Sequence, residues 1–196
     1  MPQRSSDRRR RSRRLSGYDY SLSGAYFVTL CLQDRRELFG KVEGGTLCPN
    51  AAGLMVSRWW EKLESKFPLA QTDEHVVMPN HFPGILILWP SDSAGPQDDR
   101  TAAPRACLAL PNIVQWLKAM TTNDYIRHTR ADGWASFEKR LWQRDFHDRV
   151  VRDNEDLSTY RRYIRENPGR WEMDRENPVA LIIDPRWGGG RHPVDH

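Results

Sequence analysis

The chain has 196 residues, enough for one domain with a substantial core plus arms. Its net charge is only +4, yet the first 14 residues hold seven arginines against Asp7, a local +6, which leaves −2 for the remainder. No apolar stretch approaches the ~20 residues of a membrane span, and Cys31, Cys48 and Cys107 have neither zinc-site nor disulfide-framework spacing.

In chain order, residues 1–14 read as a basic disordered arm. Arginine rather than lysine suits forked contacts to phosphate, so Arg8, Arg9, Arg10, Arg11, Arg13 and Arg14 are candidate DNA-binding residues. The competing reading is a solubilising tail. The start lacks the apolar segment of a signal peptide, and scattered thiols suit a reducing cytoplasm. A DNA-binding protein there is expected to be nucleoid-associated.

Ala25 to Leu32 is rich in β-formers and predicts a buried strand. Glu43-Gly44-Gly45 predicts a small hairpin turn. Asn50 caps a predicted helix running to about Phe67, with Leu54, Met55, Trp59 and Leu63 inward and Pro68 ending it. Glu74 to Met78 and Phe82 to Trp89 predict two strands joined at Pro79-Asn80, with Pro83 awkward inside the second. Residues 90–108 read as a surface loop. Leu110 to about His128 predicts a helix with Ile113, Leu117 and Met120 as its apolar side. A strand is expected around Trp142-Gln143. A helix follows, capped by Asp153 or Asn154, with Leu157, Tyr160 and Ile164 as a buried stripe and Pro168 as its stop. Residues 179–196 read as an irregular tail. This order predicts an α+β fold, an antiparallel sheet with helices on one face and a C-terminal helix bearing Tyr163.

Two stretches carry chemistry. In Val76-Val77-Met78-Pro79-Asn80-His81-Phe82-Pro83, strand alternation puts His81 and Pro83 on one face. Downstream, Tyr163 and Asn167 stand one helical turn apart. A phenol beside a neutral oxygen donor suits phosphoryl transfer: the phenol attacks phosphorus while the donor helps hold a cation. Each residue also has a plain reading: His81 as a hydrogen-bonded structural histidine, Tyr163 as packing, and Asn167 before Pro168 as a helix terminator.

With Leu15-Ser16-Gly17-Tyr18-Asp19-Tyr20, Gly24-Ala25-Tyr26-Phe27-Val28-Thr29, Leu141-Trp142-Gln143-Arg144-Asp145 and Tyr163-Ile164-Arg165-Glu166-Asn167-Pro168, the chain resembles the single-tyrosine HUH transposases. Within them it is most similar to the REP-associated tyrosine transposases, over roughly residues 13 to 178. The resemblance implies a transposase-like domain over 15–178 with a ferredoxin-like core. It further implies that Tyr163 is the nucleophile and that His81 and Asn167 ligate Mg²⁺ or Mn²⁺. The second histidine position is held by Pro83. The implied activity is recognition of single-stranded or hairpin DNA, with cleavage and rejoining through a 5′-phosphotyrosine. A homodimer is a further implication, with the tyrosine drawn from either subunit. The alternatives are a hairpin-binding module of the same fold with weak or absent nuclease activity, and an RNA-binding ferredoxin-like domain. His75 and His147 are the candidates to replace the missing ligand.

Overall fold

The structure, a computed structural model, describes residues 23–90 and 109–173. The candidate arm with its arginines, the motif at 15–20, most of the 90–108 loop and the tail lie outside them.

Strand β1 (Gly24–Cys31) is the centre of the fold, since its β-rich run is buried on both faces. A hairpin of β2 (Gly40–Glu43) and β3 (Thr46–Pro49) follows, turned by Gly44 and Gly45, both at positive φ. Helices α1 (Ala51–Glu61) and α2 (Leu63–Lys66) come next, then β4 (Ala70–His75), β5 (His81–Leu88), α3 (Leu110–Ala131), β6 (His147–Val151) and α4 (Asn154–Glu166). The four-stranded sheet is antiparallel throughout, in the order β4-β5-β1-β6. That is the ferredoxin-like arrangement, with β5 an inner strand.

Even-numbered residues of β1 and β5 face α1 and α3. Tyr26, Val28, Leu30, Phe82 and Leu86 share a core with Met55, Trp60, Ile113 and Leu117. Helix α4 covers the opposite face, where Phe27 and Ile85 pack with Tyr160 and Ile164. The sheet is therefore covered on both sides.

Several local expectations shift. Asn50 is the cap, its side chain accepting from Ala52 N and Gly53 N. The inward face of α1, however, is Ala52, Gly53, Met55, Val56 and Trp60, while Leu54 is 50% exposed and Trp59 is half-buried. Gly53 explains the rotation: a Cβ there would lie 2.3 Å from the Phe39 carbonyl oxygen, so only a bare α-carbon lets the helix approach this closely. Strand β4 runs from Ala70 to His75, earlier than expected, with Ala70 paired to Leu88, and its register with β5 shifts between Thr72 and His75. Trp142 forms only an isolated bridge to Leu32, and the edge strand starts at His147. Helix α3 runs on to Ala131, with Tyr125 buried and its hydroxyl donating to Ala135 O. Pro168 ends α-helical pairing, but the chain continues in a tight turn from Pro168 to Met173.

Gly84 in the middle of β5 has a packing role. A Cβ there would meet Trp60 and Phe82 ring carbons at 3.0 Å, and Trp60 is 1% exposed. Gly84→Val is expected to overpack this contact and cost about 1–3 kcal/mol, read as a lower melting temperature. An unchanged melt would show that Trp60 can move aside.

Candidate functional site

The face under α4 is organised in rows set by the β1–β5 register. Phe27 lies opposite Ile85, Thr29 opposite Pro83 and Cys31 opposite His81. Directly opposed residues share a face, so all six turn toward α4. Tyr160 stacks on Phe27 with centroids 4.6 Å apart and is 7% exposed. It is a core residue, as its place in the apolar stripe predicts. Tyr163 meets the same ring edge-on at 5.8 Å and is only half-buried, so its phenol lies at the margin of this small core. One turn on, Asn167 is buried. A further turn on, Trp171 stacks over His81 at 6.0 Å. The segment from Tyr163 to Trp171 thus runs from the row of Phe27 to the row of His81, with Asn167 between.

His81 is 1% exposed and its Nδ1 lies 3.0 Å from Asn80 Oδ1. Asn80 Nδ2 donates to the Arg35 carbonyl at 3.2 Å. That donation orients the amide so that its oxygen faces the imidazole, which places the proton on His81 Nδ1. Nε2 is left with the lone pair, the form in which histidine ligates a metal. Asn80 looks in the sequence like a turn residue and nothing more. The carbonyl it reaches belongs to a turn in which Asp34 and Arg35 adopt φ of 56° and 53°, a conformation uncommon outside glycine.

Asn167 does not act as a terminator through its side chain. Its backbone donates to Ile164 O and accepts from Arg170 N. Its side chain is 2% exposed, and neither Oδ1 nor Nδ2 has a hydrogen-bond partner among the described residues. A buried unsatisfied amide costs about 1–3 kcal/mol.

Two contacts from the edge strand β4 dock α4. Arg161 forks onto Asp73 at 2.9 and 2.5 Å, and Arg165 reaches Glu74 at 3.4 Å. The Arg161 guanidinium holds the Asp73 carboxyl below the usual carboxylate range, against the opposing effect of its partial burial. These partners are too far apart in the chain for any local pattern to reveal them.

His75 does not replace the missing ligand. It pairs with Gly84, lies 2.7 Å from Ser57 Oγ and packs against Trp60 and Phe82, all on the far side of the sheet from His81. Burial lowers its pKa, which favours the neutral ring. His147 pairs with Thr29 and so shares the row of Pro83, but two strand spacings away, about 10 Å. Trp142 is buried, and its indole N–H donates to Thr121 Oγ1. Among the described residues, no group of three or more His, Cys, Asp or Glu could hold a metal ion, and no helix is long and apolar enough to cross a membrane.

His81 offers an imidazole nitrogen and Asn167 an amide oxygen, donor types that can ligate a divalent cation. Pro83, on the same face of the sheet as His81, offers no donor. Pro83 itself is well tolerated. Its carbonyl accepts from Val76 N, so its ring nitrogen also faces the β4 side, where pairing has become irregular, and the ladder to β1 loses nothing.

Among known proteins, a protein of Haemophilus influenzae described as uncharacterized is 30% identical over 171 residues, which cover 85% of this chain and 92% of that protein. The chain belongs to that protein's family. No family model matches it. A solved structure of a REP-associated tyrosine transposase bound to a REP hairpin is similar, with a TM-score of 0.44 and 22% identity over 79% of this chain and 73% of that one.

Proposed function

We propose that this protein binds hairpin or single-stranded DNA and cleaves and rejoins it through Tyr163. The observation that carries this reading is the docking of α4, which brings Tyr163, Asn167 and the ring stacked on His81 onto one face of the sheet. Tyr163 Oη attacks the phosphorus, the bond to the 3′ oxygen breaks, and that oxygen leaves as a 3′-hydroxyl after taking up a proton. The 5′ phosphate stays esterified to the tyrosine. Rejoining is the reverse step, so no nucleotide cofactor is consumed. His81 Nε2 and Asn167 Oδ1 would hold Mg²⁺ or Mn²⁺, whose chemistry when bound is to polarise the scissile phosphate. Asn80 keeps the imidazole in the ligating tautomer. The contacts of Asp73 and Glu74 to Arg161 and Arg165 hold α4, which bears Tyr163, against the sheet.

The test is covalent trapping. A DNA hairpin with a single-stranded flank, labelled on the 3′ side of that flank, is incubated with protein and Mn²⁺ and run on a denaturing gel. A labelled band at the mass of protein plus DNA is expected, and it should disappear with chelator. A second reading, a binding module of the same fold, is favoured by one specific observation: Pro83 contributes no donor where a third ligand belongs. Hairpin binding without any adduct would select it.

A further inference from the structure

On the face of the sheet away from Tyr163, helix α1 and strand β4 bring a hydroxyl and an imidazole together. Ser57 lies inside α1, where serine commonly bonds back to the carbonyl one turn earlier. Here its hydrogen bond goes to His75, with Oγ 2.7 Å from Nε2. Trp60 and Phe82 hold the imidazole in place, their ring centroids 6.0 and 5.7 Å from its own. The backbone of Asp73 is hydrogen-bonded to the same ring. A carbonyl there accepts from Nδ1–H, which leaves the Nε2 lone pair to accept from the Ser57 hydroxyl. Burial lowers the pKa of His75, against the charges of Glu61 and Glu74 and the bond to Asp73, and so favours the neutral, basic ring. Neither Ser57 nor His75 is fully buried, and Leu54, one turn before Ser57, is 50% exposed. A nucleophile, a base within hydrogen-bond reach and a third group that orients the base are the parts of an activated serine.

We propose that Ser57 and His75 form a second reactive site, where Ser57 takes an acyl group from an activated ester. This site is independent of the DNA chemistry at Tyr163. Ser57 Oγ attacks the acyl carbon and passes its proton to His75 Nε2. The bond from that carbon to the leaving oxygen breaks. The leaving group carries off the bonding pair and takes up the proton, and the acyl group stays esterified to Ser57. The class of ester follows from the surroundings of the pair. The backbone N–H groups around Ser57 are spent on hydrogen bonds within α1, so they do not hold a developing oxyanion. The carbonyl must therefore arrive activated by its own leaving group, as in an aryl ester, while amides and simple alkyl esters stay intact. Leu54 offers apolar surface beside Ser57 for a short acyl chain.

The test incubates the full chain with p-nitrophenyl acetate and follows both the released p-nitrophenolate and, by mass spectrometry of its peptides, the acetylated residue. A burst of about one p-nitrophenolate per chain is expected, with the acetyl group on Ser57. Ser57→Ala should abolish the burst without lowering the melting temperature, since alanine is the better helix former. His75→Gln should slow it by about 10²–10⁴-fold, the scale of general-base assistance. In the wild type the burst rate should hold as the pH drops below about 6.5, the ordinary histidine pKa, and fall once the imidazole takes up a proton. That profile identifies the base even if His75→Gln melts lower. Acetyl groups found only on other residues, or an equal burst in Ser57→Ala, overturn the proposal. So does a burst rate that shows no fall at acid pH.

Discussion

Tyr163→Phe is expected to abolish the protein–DNA adduct completely while leaving hairpin affinity in a gel shift little changed. The substitution removes only the Oη atom. The ring and its edge-on contact with Phe27 at 5.8 Å remain, so α4 keeps its seat on the sheet. Without Oη no phosphotyrosine can form at this position, and among the described residues no neighbouring phenol is placed to substitute. Tyr160 is 7% exposed and stacked flat on Phe27, with its ring committed to the core. Tyr160→Phe is the matched control and should keep the adduct. If Tyr160→Phe removes the adduct and Tyr163→Phe does not, the nucleophile is misassigned.

Pro83→His is expected to raise cleavage and Mn²⁺ affinity by roughly one to two orders of magnitude, the scale of losses seen when residues around a metal site are removed. Residue 83 shares the face of His81, in the row that lies between the Phe27 and His81 rows spanned by Tyr163 and Trp171. A ring at position 83 would supply a donor on the strand of His81, where His147, two strands away, does not reach. The backbone should accept the change, since the N–H it restores faces the irregular end of β4 and not the β1 ladder. DNA affinity should barely move, because phosphate contacts elsewhere set it. Cleavage of a hairpin with a single-stranded flank is measured across a Mn²⁺ titration, wild type against variant. Equal rates in the two proteins would mean that no third ligand is missing. A folded variant that binds the hairpin but leaves it uncut would select the binding module.

What the sequence by itself determined is local. The β-rich run of β1, the cap at Asn50, a cap at Asp153 or Asn154 that the structure gives to Asp153, the stripe of Leu157, Tyr160 and Ile164, of which the last two are buried, and the shared side of Tyr163 and Asn167 all follow from periods and caps that act within a dozen residues. Alternation alone also paired His81 with Pro83. What only the tertiary structure decided is which faces meet. The inward face of α1 turns on how closely Gly53 approaches the Phe39 carbonyl, so Leu54 points outward although the helix pattern allowed it inside. His75 falls on the far side of the sheet because β4 slips register before it reaches the turn. The tie from Arg35 through Asn80 to His81 and the Asp73–Arg161 fork each join residues from separate stretches of the chain. No period or cap can encode such contacts. They exist only once burial of apolar faces on both sides of the sheet has fixed register and helix placement, because a shift of one residue would turn each of these side chains to the opposite face.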